Sequence, residues 1–445
     1  MELLSVLLIL CYTPETMHKL LGLIAFVFTL HAAEIPQPVV LRAAHLFDGK
    51  SNTLVSPGLV VVVDGKITGI GPAAKIPSDA KTIDLGDATL LPGFIDAHTH
   101  VSMPYMEDWK QQTLNSLQKN IPELTLMSLA EVRNTVMAGF TTVRDVGSSD
   151  FIDVGLRNAI AGNLIPGPRM LVSIHAIGST GGHCDNTGFR FNLFGRETGP
   201  EDGVINSPDE ARRAVRLNVK YGADVIKTCA TGGVLSLADD VDTPQLTQEE
   251  LNALVDEAHA LRRKTAAHAH GATGAKRAIR AGIDSIEHGS FLDDEALDMM
   301  RAKGTVLVPT LMAGWQLGKM LENGVYMPPP IAAKARLAIA SMSNTFQKAL
   351  AKGVTIGFGT DAGVEPHGLN AKEFELMVKL GMKPVDALKC ATSINAELLG
   401  ISQLTGTLES GKAADIIAVP GDPLKDITVT QRVKFVMKDG WIVKN

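Results

Sequence analysis

The chain is predicted to fold as an α/β protein: a (β/α)8 TIM-like barrel with a small β-sandwich domain formed from both chain ends. Three observations predict it. Short apolar runs alternate with helix-like stretches through the middle of the chain, the pattern of a parallel sheet or barrel. Histidines, a lysine and an aspartate stand at or just past the ends of several of those runs, where a barrel gathers its chemistry. Glycine-punctuated, β-rich segments occupy both termini.

Size and charge agree with this. The 445 residues are ample for a barrel plus a second module. Net charge is −6, and no lysine or arginine block gives a footprint for nucleic acid. A hydrophobic content of 45% excludes a disordered or fibrous chain.

Residues 1–33 read as an export signal. Met17-His18-Lys19 is a basic start, Leu20 to Leu30 an apolar core, and His31-Ala32-Ala33 a small-residue cut site. Met17 is therefore a second candidate start. Pro14, Glu15 and Lys19 interrupt the apolar residues, so no run of about 20 spans a bilayer. The alternatives are a membrane anchor or a first strand of the fold. The expected location is exported, periplasmic or secreted, with no stable membrane insertion after cleavage.

Residues 34–92 and 401–445 are expected to form the composite β-sandwich. Their runs VVVVDGKITGIG and VKFVMKDGWIVKN carry Asp-Gly between β-rich stretches, a hairpin signal. Residues 93–400 are expected to form the barrel. Its strand candidates are 93–98, 141–146, 169–176, 223–229, 264–269, 284–288, 305–310 and 354–360. They are apolar nearly throughout, as when both faces of a sheet are buried. Between them, Ser207-Pro208-Asp209-Glu210 and Thr247-Gln248-Glu249-Glu250 mark helix starts. Long loops are expected from Ser179 to Asn206 and from Met312 to Pro330. They carry His183, Arg190, Arg196, Phe189, Phe191, Phe194, Trp315 and Tyr326. With Tyr105 and Trp109 these aromatics suggest an apolar or aromatic substrate pocket; simple packing of the loops is the rival reading. Four cysteines (Cys11, Cys184, Cys229, Cys390) at wide spacing make no disulfide framework and read as buried free thiols.

The metal-type residues come in pieces. His98 and His100 alternate at a strand end and point to one side. Lys227 closes the apolar run Val225-Ile226, and a buried lysine is costly unless its charge is removed or paired. Reaction with CO₂ would make it an anionic carbamate ligand; pairing with a carboxylate is the alternative. His268 and His270 form a second alternating pair, His288 follows in SIEHG, and Asp361 lies between small residues in GTDAG. Imidazoles and oxygen ligands together suit Zn²⁺ or a similar divalent ion.

PGFIDAHTH, GFTTVRDVG, ADVIK, HAHG, SIEHG and GTDAG together resemble the amidohydrolase superfamily. The likeness is to the branch with imidazolonepropionase-like proteins, Xaa-Pro dipeptidases and ochratoxin-hydrolysing enzymes, and it runs from residue 38 to 445. It implies metal ligation by His98, His100, carboxylated Lys227, His268, His288 and Asp361. His268 is preferred to His270 because the first histidine of HAHG holds the ligand place in that branch. Where relatives often read GGHG, this chain has Gly181-Gly182-His183-Cys184.

The expected cofactors are two divalent metal ions, Zn²⁺ first. They would polarise an amide carbonyl and supply a nucleophile at neutral pH. Asp361 would take the proton and pass it to the leaving amine, with His270 the next candidate base. His183 and His270 would stabilise the oxyanion or hold a carboxylate, with Arg190 and Trp315 as further substrate contacts. The expected reaction releases a C-terminal hydrophobic or aromatic residue from a small N-acyl amino acid or dipeptide, with ochratoxin A as a candidate. The alternatives are a cyclic amidohydrolase of the imidazolonepropionase kind, which an exported protein fits poorly, and an Xaa-Pro dipeptidase. A non-catalytic relative would be expected to lose ligands, and a membrane-tethered binding protein depends on an uncleaved leader. A homo-oligomer is expected.

Overall fold

The computed structural model describes residues 37–445, so the expected export signal and Cys11 lie outside the described residues. The first strands are β1 (Val39–Ala43), β2 (His45–Leu46), β3 (Gly58–Val63), β4 (Lys66–Ile70), β5 (Lys81–Asp84) and β6 (Ala88–Pro92). β3 pairs antiparallel with β1 and with β4, and β5 joins β1 parallel, giving the order β4-β3-β1-β5. The β3–β4 hairpin turns at Asp64 and Gly65, with φ of 49° and 72°. Both residues are left-handed, as a two-residue turn matched to the strand twist requires.

The centre alternates strand and helix. It contains β7 (Phe94–Thr99), α1 (Trp109–Gln118), α2 (Ile121–Met137), β8 (Phe140–Asp145), α3 (Ile152–Ala161), β9 (Arg169–Val172), β10 (Gly178–Ser179) and β11 (Val204–Ile205). Then follow α4 (Pro208–Lys220), β12 (Val225–Cys229), α5 (Gln248–Ala260), β13 (Lys264–Gly271), α6 (Ala272–Ala281), β14 (Ser285–Phe291), α7 (Asp294–Lys303), β15 (Val306–Val308), α8 (Leu311–Glu322) and α9 (Pro329–Lys352). The helix starts obey the sequence signals. Ser207 Oγ accepts from Glu210 N, and Thr247 and Glu250 form a reciprocal capping box.

β7-β8-β9 form one parallel sheet and β12-β13-β14-β15 another. Every residue of β7, β8 and β12 is buried, which explains their lack of polar alternation. Further backbone hydrogen bonds leave the edges of both sheets. Asp224 N donates to Val172 O and Ile177 N to Lys227 O, each at 2.8 Å. At the other edge Leu307 N donates to Thr355 O, and Ala97 N to Phe358 O, both at 2.9 Å.

Several expectations need correction. Residues 354–360 form no continuous strand; Ile356 makes one isolated bridge, to Leu307. The strands expected at 169–176 and 305–310 stop early, because Ile174 and Thr310 take left-handed φ of 64° and 47°. Residues 312–330 are not a long loop: α8 and the start of α9 occupy most of them. Gly314 hid this helix from the sequence. It lies against Met342 of α9, where a Cβ would collide with the thioether sulfur. Residues 179–206 stay largely irregular, apart from a 3-10 turn and β11.

The chain end returns as β16 (Ile416–Pro420), β17 (Phe435–Lys438) and β18 (Trp441–Lys444). They build the order β18-β17-β16-β6-β2. β17 and β18 turn at Asp439 and Gly440, again both left-handed, with φ of 49° and 82°. Leu41, Val60 and Ile67 from the first sheet share one apolar cluster with Leu90, Ile416 and Phe435 from this one. No helix among the described residues is long and apolar enough to cross a membrane.

Candidate metal centre

The histidines predicted from separate strands meet in one place. The ring centroids of His98 and His288 are 4.8 Å apart, those of His268 and His288 4.5 Å, and those of His268 and His270 4.7 Å. Two donor sets are compact enough to share an ion: His98, His288 and Asp361, and His268, His270 and His288, with ligand atoms within 4.8 Å. His270 is thus placed beside the ligands as closely as His268. His288 and Asp361 both have φ of 70°. Left-handed φ is uncommon outside glycine, though aspartate and histidine adopt it more readily than most residues.

Each imidazole is anchored through one nitrogen. His98 Nδ1 lies 2.7 Å from Glu287 Oε2, His100 Nδ1 3.1 Å from Gly147 O, His268 Nε2 3.1 Å from Gly232 O, and His288 Nδ1 2.8 Å from Thr310 Oγ1. A carboxylate or carbonyl can only accept, so in His98, His100 and His268 the anchored nitrogen carries the proton. Their other nitrogens, when neutral, are lone pairs. Those of His98 and His100 face Asp361 Oδ1 at 3.3 and 3.2 Å. Lone pairs against a carboxylate repel unless a cation lies among them or a ring takes a second proton; despite burial, Asp361 pulls the His100 imidazole above its usual value. Such outward anchors are how metal-binding histidines are oriented.

Glu287 is the residue the sequence reading missed. Its Oε1 accepts from Arg144 at 2.8 Å, and both side chains are fully buried. Burial alone would raise its carboxyl, but Arg144 and His98 outweigh burial and hold it down at about 2. Arg144 Nε also donates to Ala97 O on β7. The signal was present: an arginine inside the apolar run FTTVRD and a glutamate just before His288.

Lys227 is buried on β12, and its amine has no hydrogen-bond or ion-pair partner among the described residues. Burial lowers it to about 8. The nearby charges of Glu287 and Asp361 work against that lowering.

Other predicted residues sort themselves. His183 packs on His268, ring centroids 4.2 Å apart, and His270 Nδ1 lies 2.9 Å from Ser290 Oγ. Arg190 is exposed on the 179–206 loop. Arg196 is occupied by Asp202 through two contacts of 2.6 Å. Trp315 lies on α8 rather than in a loop, and Trp109 begins α1. Trp315 lines a cavity of about 230 Å³ with Met312, Gly368, Leu369 and Lys372, and none of the predicted metal ligands lines it. The amines of Lys319 and Lys372 sit 4.4 and 5.3 Å from its ring. Phe191 is 85% exposed, although Phe189 and Phe194 touch each other. The apolar wall beside the histidines is Phe291 instead, its ring 6.3 Å from His270. Phe291, Val364 and Trp109 pack on a cluster that includes Val234, Leu317 and Ile331.

The cysteine reading is corrected. Cys184 and Cys229 form a disulfide with Cα atoms 6.0 Å apart, and only Cys390, among the described residues, is a buried free thiol. The pairing joins residues 45 apart in sequence, and only the fold brings them together.

Imidazoles and a buried lysine on parallel strands, with the Asp361 carboxylate beside them, make histidine clusters that can hold divalent ions, the donor set of a metal-dependent hydrolase. The amidohydrolase family profile matches residues 89–443, and the chain belongs to that family. It is 32% identical to the ochratoxinase of Aspergillus niger over 420 residues, covering 89% of this chain and 84% of that one. It is 25% identical to the imidazolonepropionase of Cutibacterium acnes over 383 residues, covering 82% and 87%. Among solved structures, an Xaa-Pro dipeptidase with methionine bound in its active site superposes with a TM-score of 0.87 at 41% identity, covering 92% of this chain and all (100%) of that one.

Proposed function

We propose that the protein is a binuclear metal-dependent amidase that releases the C-terminal hydrophobic or aromatic residue of a dipeptide or N-acyl amino acid. The observation that carries this is the set of anchored imidazoles whose free nitrogens converge on Asp361. In this reading His98, His100, Lys227 as a carbamate, His268, His288 and Asp361 hold two ions, Zn²⁺ first. When bound, such ions polarise a carbonyl and provide a nucleophile at neutral pH. Asp361 takes the proton from the attacking water and delivers it to the leaving amine. His270 and His183 face the substrate, and Phe291 walls the side chain that leaves.

The likeness to a dipeptidase and to an ochratoxinase supports a substrate with a C-terminal amino acid. Ochratoxin A, an aryl amide of phenylalanine, is one candidate. Ring opening of a cyclic amide is the second reading, supported only by the lower identity to imidazolonepropionase. The same reading makes the two parallel sheets one closed barrel over residues 93–400. It makes residues 34–92 and 401–445 one β-sandwich. The protein is exported after loss of residues 1–33, and it works as a homo-oligomer.

The test is a screen of the zinc-loaded protein against dipeptides and N-acyl amino acids with varied C-terminal residues. Release of hydrophobic or aromatic residues is expected. Turnover of cyclic amides alone would overturn the proposal.

A further inference from the structure

His183 sits on the long irregular segment of residues 179–206, which by itself gives the ring no fixed place. Its surroundings fix it. His183 Nδ1 lies 3.0 Å from Ser236 Oγ, and Ser236 Oγ lies 2.5 Å from Asp239 Oδ1. Asp239 is also bound by Lys334 of α9, whose amine donates to Asp239 Oδ1 at 2.9 Å, Ser236 O at 2.6 Å and Asp239 O at 3.0 Å. A second strap runs through Gln245. It donates to Asp239 Oδ2 at 2.8 Å and accepts from the His183 backbone N–H at 2.9 Å. Gly233 leaves the space that the ring needs, since a Cβ there would collide with it. The next residue, Cys184, is tied to Cys229 on the strand that carries Lys227.

We propose that Asp239, acting through Ser236, is the positioning residue that orients His183 toward the metal centre. This rests on the reading of His183 as a substrate-facing group. The logic is one of hydrogens. Burial works to raise the Asp239 carboxyl, but Ser236 and Lys334 outweigh it and hold the group below its usual range. An ionised carboxylate only accepts, as does the Gly233 carbonyl 3.2 Å from Ser236 Oγ, so the single hydroxyl hydrogen of Ser236 goes to the nearer Asp239. The Ser236 oxygen is then an acceptor, and His183 must donate to it from Nδ1. The ring is thereby fixed with Nδ1 inward, and Nε2 is the nitrogen left for substrate. This holds whether or not the ring is charged. Lys334 in turn has all its donors occupied and pins Asp239 to α9, so the orientation is inherited from a helix rather than from the loop.

The experiment uses the zinc-loaded protein and the variants Ser236→Ala, Asp239→Asn, His183→Ala and the two doubles with His183→Ala. Ser236→Ala leaves the Asp239–Lys334 pair intact and decides the matter where Asp239→Asn fails to fold. The first readout is the long-range ¹H–¹⁵N spectrum of ¹⁵N-histidine protein, with His183 assigned by its loss in His183→Ala. A fixed Nδ1–H pattern is expected in the parent and a changed one in Ser236→Ala; an unchanged pattern overturns the proposal. The second is kcat/KM for N-benzoyl-L-phenylalanine. Ser236→Ala is expected to lower it about tenfold in the parent background, the scale of lost orienting contacts, and less than about twofold in the His183→Ala background. Equal losses in both backgrounds, with metal content unchanged, would make Asp239 and Ser236 merely structural. If the parent cleaves neither this amide nor any dipeptide or N-acyl amino acid of the screen, the proposed function fails, while the spectrum still decides the orientation of His183.

Discussion

Glu287 Oε2 lies 2.7 Å from His98 Nδ1, while its Oε1 lies 2.8 Å from the guanidinium of Arg144. One buried carboxylate thus orients a histidine of the candidate metal centre and neutralises the arginine beside it. Glu287→Gln keeps the shape but weakens both links, and metal affinity is expected to fall about 10–100-fold. Glu287→Ala leaves Arg144 buried and unpaired, and about 3–5 kcal/mol of stability should go with it. Metal titration and urea unfolding measure the two. Unchanged affinity in Glu287→Gln would mean that His98 needs no outer support.

Lys227 has an apolar strand behind it, and among the described residues its amine has no hydrogen-bond or ion-pair partner. Lys227→Ala is expected to lose most activity and to regain part of it when short carboxylic acids are added. Rates with and without added acetate or propionate check this. Activity within a few-fold of the parent would rule out a carbamate ligand.

Asp361→Asn should keep most of the bound metal, because an amide oxygen still faces the centre. It takes up no proton, so turnover is expected to drop by about 10²–10⁴-fold. Metal analysis alongside single-turnover rates separates the two effects. Near-normal turnover would move the role of base to His270.

The Cys184–Cys229 bond closes a loop across 45 positions. Cys184→Ser is expected to lower stability by about 2–4 kcal/mol, mainly through the unfolded chain. Urea unfolding of the oxidised parent and the variant reads this directly. Equal midpoints would show that the bond constrains nothing.

Phe291 and the cluster behind it offer an apolar surface next to His270. Burying an aromatic side chain there is worth roughly 1.5–3 kcal/mol. N-acyl-phenylalanine amides should therefore exceed N-acyl-glycine analogues in kcat/KM by at least about tenfold. Equal rates for the two would place the leaving side chain elsewhere.

Much of the site is legible in the sequence because its signals are local. His98 and His100 alternate on one strand end, Lys227 closes an apolar run, and Ser207 and Thr247 cap the helices that follow their own segments. Asp-Gly and its flanking runs specify both terminal hairpins for the same reason. The fold decides what depends on partners far away in sequence. Glu287 reaches His98 across 189 positions, Lys334 reaches Asp239 across 95, and Cys184 finds Cys229 only when the loop closes over β12. Trp315 makes the same point in reverse: its residue type suggested substrate, but helix α8 carries it to a different cavity. Residue type and spacing determine which chemistry is on hand. Tertiary packing alone determines which nitrogen of His98, His100 and His268 carries the proton, because the acceptors that hold it come from other strands and loops.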